Sequence, residues 1–201
     1  MNAEETKRPP FVAALLAGGK SSRMGCDKAL LDWCGAALWR VQFGRLIELN
    51  PERLLLSRHE EQEFKTLLAD HVIDPPDNPG PLGAIVRCLE IAQLPLLVLA
   101  VDMPCMTTTF LASMIQAGDG VVCREPNGFQ PLCAVYPVSA LPLMRVALQE
   151  QNYKMQTVVE QLVVKGLMKA RDLQPDEVPL FFNTNTPEEY AWTKLAPPAS
   201  N

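Results

Sequence analysis

The chain has 201 residues, 48% of them hydrophobic and 20% charged, and a net charge of −5. That size and composition suit one α/β domain with a substantial core, and indicate neither disorder nor a membrane protein. The negative balance argues against a general nucleic-acid surface, so any anionic ligand needs a local cluster of positive groups.

Phe11–Ala17 is an apolar run of buried-strand length, far too short to span a bilayer, as is Leu94–Val101. Lys7 and Arg8 ahead of the first run loosely mimic a secretion signal. The run passes straight into a Gly-rich basic loop instead of a small-residue cleavage site, so a cytoplasmic location is expected. Leu38, Val41, Leu46 and Leu49 form one apolar stripe on a helix from about Ala36 to Asn50. Arg53–Ser57 reads as a second strand and His59–Ala69 as a charged helix. His71–Ile73 reads as a short strand running into the loop DPPDNPGP. A helix over Leu82–Gln93, a buried strand over Pro95–Val101 and a helix over Thr107–Ala117 follow. Gly120–Glu125 and Leu132–Tyr136 flank the turn-forming pair Asn127-Gly128, which predicts a strand pair. Helical stretches near Val138–Gln151 and Met155–Val164 precede the closing segment FFNTNTPEEYAW. The order implies one domain over 11–194 between flexible ends at 1–10 and 195–201, with a mostly parallel sheet and helices on both faces. Ligands bind such sheets beyond the carboxyl ends of the strands, so the loops after Ala17, Ile73 and Val101 should share one face.

The six cysteines, at 26, 34, 88, 105, 123 and 133, form no CxxC pair, and with only two histidines a zinc site is not expected. The thiols read as small apolar residues in a reducing compartment, Cys26 included. His59 and His71 read as surface or strand-edge residues, and the three tryptophans as core.

The most informative segment is LLAGGKSSRMGCDKALL, residues 15–31. A buried strand ends in Ala17-Gly18-Gly19, where glycines let backbone N–H groups approach a phosphate. Lys20, Arg23 and Lys28 then supply three cations within nine residues. Arg23 can grip phosphate oxygens with a planar fork, and Lys28 offers a point charge. The spacing is neither that of a Walker loop nor GxGxxG. Asp102 directly follows a buried strand in LLVLAVDMPCM. A carboxylate there fits a Mg²⁺ ligand facing a phosphate loop, or equally a helix cap or turn residue ahead of Thr107. Asp74 ends the strand HVID and reads as a turn residue before Pro75, in a loop that also carries Asp77. Thr186 and Pro187 form a natural helix start, which leaves Asn183 and Asn185 without a capping explanation.

These strings together resemble the MobA-like nucleotidyltransferases, most of all their molybdenum cofactor guanylyltransferase branch. The opening segment is similar to LAGGxSxRMGxDK. Asp102-Met103-Pro104 resembles CDxP, with Val101 in place of the usual Cys. GPLGAI (80–85) resembles GPLAG with Gly and Ala exchanged at 83 and 84. QPLCAVY (130–136) resembles PLxxxY, and the segment from Asn183 to Glu188 resembles NxNTPE. The order of these five motifs spans the chain from Val12 to about Trp192. One departure is Leu55, where the family often has Asn.

The resemblance implies a three-layer Rossmann-like nucleotidyltransferase fold. It also implies transfer of GMP from GTP to molybdopterin with release of pyrophosphate. Leu16, Ala17, Gly18, Gly19, Lys28, Asp74, Gly80, Pro81, Leu82 and Asp102 then fall on nucleotide contacts. Lys28, Arg23 and Asp102 carry catalysis, Asp102 holds Mg²⁺, and Gln130, Asn183 and Asn185 face the acceptor. GTP and molybdopterin are the expected partners, with transient contact to cofactor chaperones or acceptor enzymes, and without nucleic acid or membrane. A cytidylyl- or sugar-phosphate nucleotidyltransferase of the same fold, and a non-catalytic nucleotide- or cofactor-binding relative, are the alternative readings.

Overall fold

The computed structural model describes residues 9–18, 27–75 and 80–184. Residues 1–8 of the flexible end expected at 1–10, the whole of that expected at 195–201, and Gly19, Lys20, Arg23, Cys26, Asp77 and Asn185 to Glu189 lie outside them. Strand β1 (Val12–Leu16) has all five residues buried, as its uninterrupted apolar sequence requires of a strand covered on both faces. A short 3-10 turn (Lys28–Leu30) leads to a hairpin, β2 (Asp32–Trp33) and β3 (Ala36–Ala37). Its turn residues Cys34 and Gly35 both take positive φ, as a two-residue hairpin turn demands. Helix α1 (Leu38–Glu48), β4 (Arg53–Arg58), β5 (Asp70–Ile73), α2 (Pro81–Ala92), β6 (Leu96–Ala100) and α3 (Thr108–Gln116) complete the alternating half. The second half holds β7 (Val121–Glu125), β8 (Gly128–Tyr136), α4 (Leu141–Gln149), α5 (Met155–Val164) and β9 (Lys169–Asp172).

The seven-stranded sheet runs β5-β4-β1-β6-β8-β7-β9. Pairs β5/β4, β4/β1, β1/β6 and β7/β9 are parallel, while β8 is antiparallel to both β6 and β7. Because side chains alternate along a strand, Ala13 and Leu15 join one core with α1 and α3. Val12, Ala14 and Leu16 join another with α2, α4 and α5. The result is the three-layer architecture the motif order implied. No described helix is long and apolar enough to cross a membrane.

Three features depart from the sequence expectations. The helix expected over His59–Ala69 is irregular chain. The Arg58 guanidinium donates to the carbonyls of His59 (2.9 Å), Glu60 (3.0 Å) and Gln62 (2.6 Å), acceptors that a helix would have used internally. Phe64 is drawn into the core against Trp39, with ring centroids 5.0 Å apart. Tertiary contacts thus override the helix propensity of a Glu-rich segment. Second, β9 and the hairpin β2–β3 went unforeseen, and the turn between β7 and β8 is Pro126-Asn127, with Gly128 opening β8 at φ +139. Third, Cys34 is exposed, whereas Cys88, Cys105, Cys123 and Cys133 are buried and free as expected. Burial pushes the Cys88 thiol up to about 12 and Cys123 to about 11, so neither is a nucleophile near neutral pH.

Candidate functional site

The carboxyl ends of β1, β4, β5 and β6 open onto one cleft of about 240 Å³. Its walls include Leu16, Ala17, Gly18, Lys28, Asp74, Gly80, Pro81 and Asp102. The three loops expected to share a face therefore do. Lys28, at the start of its 3-10 turn, places Nζ 3.4 Å from Asp102 Oδ2 across 74 residues of sequence. Their side chains are 17% and 23% exposed, which leaves both reachable from the cleft. Asp27 fixes this turn by accepting from the Ala29 N–H at 2.9 Å.

Asp102 follows β6, where Val101 N–H still donates to the Leu16 carbonyl at 3.1 Å and keeps β1 and β6 in step. Thr184 N–H donates to the Asp102 carbonyl at 3.0 Å. Of the structural alternatives for Asp102, the cap belongs to Thr107, which accepts from the Phe110 N–H, while Asp102 itself lies in a turn. Asp102 Oδ1 is buried without a hydrogen-bond partner among the described residues. A buried carboxylate oxygen left in that state costs roughly 1–3 kcal/mol or more, and such an atom beside a cleft calls for a cation or a donor from a ligand.

Asp74 closes the opposite wall. The Ser57 hydroxyl donates to its Oδ1, and His59 Nδ1 lies 3.6 Å from Oδ2. This corrects the surface reading of His59, which lines the cleft. His71, by contrast, is an exposed edge residue accepting from Arg58 at 3.0 Å. The Ser57 hydroxyl is turned to the carboxylate, so the three residues do not form a serine–histidine nucleophile pair.

Two glycines are required here for different reasons. A Cβ on Gly18 would stand 1.8 Å from Asp74 Oδ2. Gly80, the residue before α2, takes φ +68 and ψ −154, which only glycine adopts without strain, and Pro81 then occupies the first helical turn. If Asp74 contacts the nucleotide, as the resemblance implies, Gly18→Ala should displace its carboxylate and weaken GTP binding about ten- to hundredfold with the fold retained. Calorimetric titration with GTP checks this, and an unchanged affinity would remove Asp74 from the nucleotide contacts.

Not all the expected residues line the cleft. Leu82 is fully buried within α2 and packs in the core. Leu55, the departure from the family pattern, is also fully buried, and the Ser57 hydroxyl two residues on donates to Asp74. Gln130 and Asn183 line a neighbouring pocket with Met103, Glu125, Asn127 and Gln156, and Leu132 belongs to both walls. Gln130 is held there by donating to Glu125 Oε1 at 2.6 Å, and buried Asn183 Oδ1 has no partner among the described residues. Among the described residues no three His, Cys, Asp or Glu side chains cluster as a metal cage.

Sequence reasoning missed Gln62. Its Nε2 donates to the Ala17 carbonyl (3.1 Å) and to Asp27 Oδ2 (2.8 Å), while Oε1 accepts from the His59 N–H (2.8 Å). One side chain thus joins the entry of the basic loop to its exit. A helical reading of 59–69 gave no signal for it.

The model of the MobA-like NTP transferase domain matches residues 13–166. The probable molybdenum cofactor guanylyltransferase of Opitutus terrae is 34% identical over 186 residues, covering 89% of this chain and 92% of its own. The molybdenum cofactor guanylyltransferase of Pseudomonas fluorescens is 32% identical over 192 residues, covering 91% and 93%. The crystal structure of molybdopterin-guanine dinucleotide biosynthesis protein A from Archaeoglobus fulgidus superimposes with a TM-score of 0.76 at 22% identity, over 92% of this chain and 97% of that one.

Proposed function

Because the chain belongs to the MobA-like NTP transferase family and is a nucleotidyltransferase, we propose that it transfers GMP from GTP to molybdopterin, forming molybdopterin guanine dinucleotide and releasing pyrophosphate. The observation that carries this reading is the meeting of Lys28 and Asp102 at 3.4 Å in the cleft beyond β1 and β6. A cation and a carboxylate so placed suit a triphosphate and its counter-ion. The choice of guanine and of the pterin acceptor rests on the relatives, two of which carry the guanylyltransferase name at 34% and 32% identity.

The acceptor's terminal phosphate attacks the α-phosphorus of GTP and pyrophosphate leaves. That nucleophile is already an anion, so the site needs no strong base, in keeping with the arrangement of Ser57, His59 and Asp74. What it needs is charge compensation and alignment. Lys28 sets a positive charge against the phosphates, and Arg23, in the same loop, adds a second. Gly18 permits close backbone approach beside Asp74. The orphaned Oδ1 of Asp102 fits a divalent cation, and Mg²⁺ held there would offset charge on phosphate oxygens. Among the described residues Asp102 is the carboxylate that would hold it, and the ion would supply charge compensation there. The adjoining pocket, with the Asn183 and Gln130 amides, is the acceptor side of the cleft. Asn185 belongs with them by sequence.

Thermal unfolding with Mg²⁺ and GTP, CTP or UTP tests the base preference. At a hundredfold excess over Kd, GTP should add about 2.7 kcal/mol and raise the midpoint by roughly 5–10 °C. CTP and UTP should leave it nearly unmoved. A larger shift with CTP or UTP would reassign the donor to a cytidylyl- or sugar-phosphate reaction. Pyrophosphate release on adding molybdopterin separates an enzyme from a cofactor-binding relative.

A further inference from the structure

Gln42 is a polar residue on the core side of α1, and its side chain is fully buried. Amides are rarely placed so deep unless every polar atom is used. Its Nε2 donates to the Met103 carbonyl at 2.5 Å and reaches the Val101 carbonyl at 3.5 Å. Its Oε1 accepts from Arg45 Nη1 at 2.7 Å, one turn further along α1. The two carbonyls belong to the residues on either side of Asp102. Arg45 is itself largely desolvated, and burial lowers its pKa, so this contact is made at a cost the fold sustains.

We infer that Gln42, oriented by Arg45, is the positioning residue that holds the Val101–Asp102–Met103 turn so that the Asp102 carboxylate faces the cleft. The turn is bound from two directions. Thr184 N–H holds the Asp102 carbonyl from the acceptor side. Gln42 holds the flanking carbonyls from beneath, across 59 and 61 residues of sequence. Asp102 reaches its ligand with a short side chain, so rotation of its backbone by a few tens of degrees swings Oδ1 out of place. A buried amide donating to carbonyls on both sides resists that rotation, because breaking it leaves its own donors and the Val101 carbonyl unmatched, while the Met103 carbonyl keeps the Met106 N–H at 3.1 Å. An apolar residue of equal volume would fill the same space without resisting it.

This inference rests on Asp102 being the cation ligand proposed above, and the experiment separates the two. Mn²⁺ binding in the presence of GTP is measured by the loss of the free-ion paramagnetic resonance signal, for the full chain and for Gln42→Met, Arg45→Met and Asp102→Ala. Gln42→Met keeps volume and removes the donors. It should fold and weaken Mn²⁺ binding about tenfold or more, the range seen when groups orienting a metal ligand are removed. Arg45→Met, which leaves Gln42 in place but unoriented, should shift binding in the same direction by a smaller factor, and reads the effect if Gln42→Met does not fold. Turnover should fall at limiting Mg²⁺ and recover at saturating Mg²⁺, with KM for the acceptor unchanged. A purely structural role would lower the melting midpoint and leave the Mn²⁺ affinity of the folded fraction alone. If Asp102→Ala abolishes Mn²⁺ binding while the folded Gln42 and Arg45 variants bind like the parent, the positioning role is wrong. If Asp102→Ala binds like the parent, the metal assignment falls and this inference falls with it.

Discussion

Lys28→Ala should lower the rate of pyrophosphate release about 10²–10³-fold, about 3–4 kcal/mol of transition-state stabilisation. The Lys28 ammonium sits 3.4 Å from Asp102 at the mouth of the cleft, with its side chain only 17% exposed. Water is thin there, so the charge is screened less than on an open surface, and charge developing on the leaving pyrophosphate feels it strongly. The fold should survive. Lys28 occupies a three-residue 3-10 turn whose cap is Asp27 and whose buried member is Ala29, neither of which depends on the lysine side chain. Lys28→Arg should restore only part of the rate, because a guanidinium is bulkier and directs its donors differently from an ammonium. Steady-state rates beside a melting curve decide the matter. A folded Lys28→Ala with near-parental turnover would remove the lysine from the chemistry and leave it as a structural partner of Asp102.

The parts of this site legible in sequence were those written by a single local rule. A strand covered on both faces must be apolar throughout, so β1 and β6 stood out. The first polar or glycine residues after them, Gly18 and Asp102, mark where each strand leaves the sheet. The Gly80-Pro81 start of α2 is of the same kind. What stayed hidden depends on partners far away in the chain. Gln42 and Gln62 bond to carbonyls 45 to 61 residues distant, and a carbonyl carries no residue identity for a sequence to display. His59 was misplaced because the charged run after it has helical composition, while its geometry is set by Arg58. Strand β9 (KARD) has an exposed, polar edge sequence with no apolar alternation, and only its parallel pairing with β7 makes it a strand.

Asp102→Ala should be nearly inactive, with turnover down about a thousandfold, and yet at least as stable as the parent when no metal is present. The two halves of this prediction come from one atom. Oδ1 of Asp102 is buried and has no partner among the described residues, so without a cation it contributes desolvation cost and no compensating bond. Deleting it relieves that cost, while the backbone bond from Thr184 and those from Gln42 to the flanking carbonyls remain. The Lys28 contact at 3.4 Å is lost as well, and because both side chains are mostly buried that loss takes back part of the gain. Asp102→Asn should be as inactive, since a neutral amide keeps the shape and lacks the charge that binds the cation. Adding Mg²⁺ and GTP should then raise the melting midpoint of the parent and move that of either variant much less, reversing the order of stability. This trade of stability for a charged ligand site is common where a carboxylate is kept waiting for a cation. Unfolding curves with and without Mg²⁺–GTP would show it directly. A destabilised Asp102→Ala in metal-free buffer would mean that the carboxylate serves the fold and not the cation.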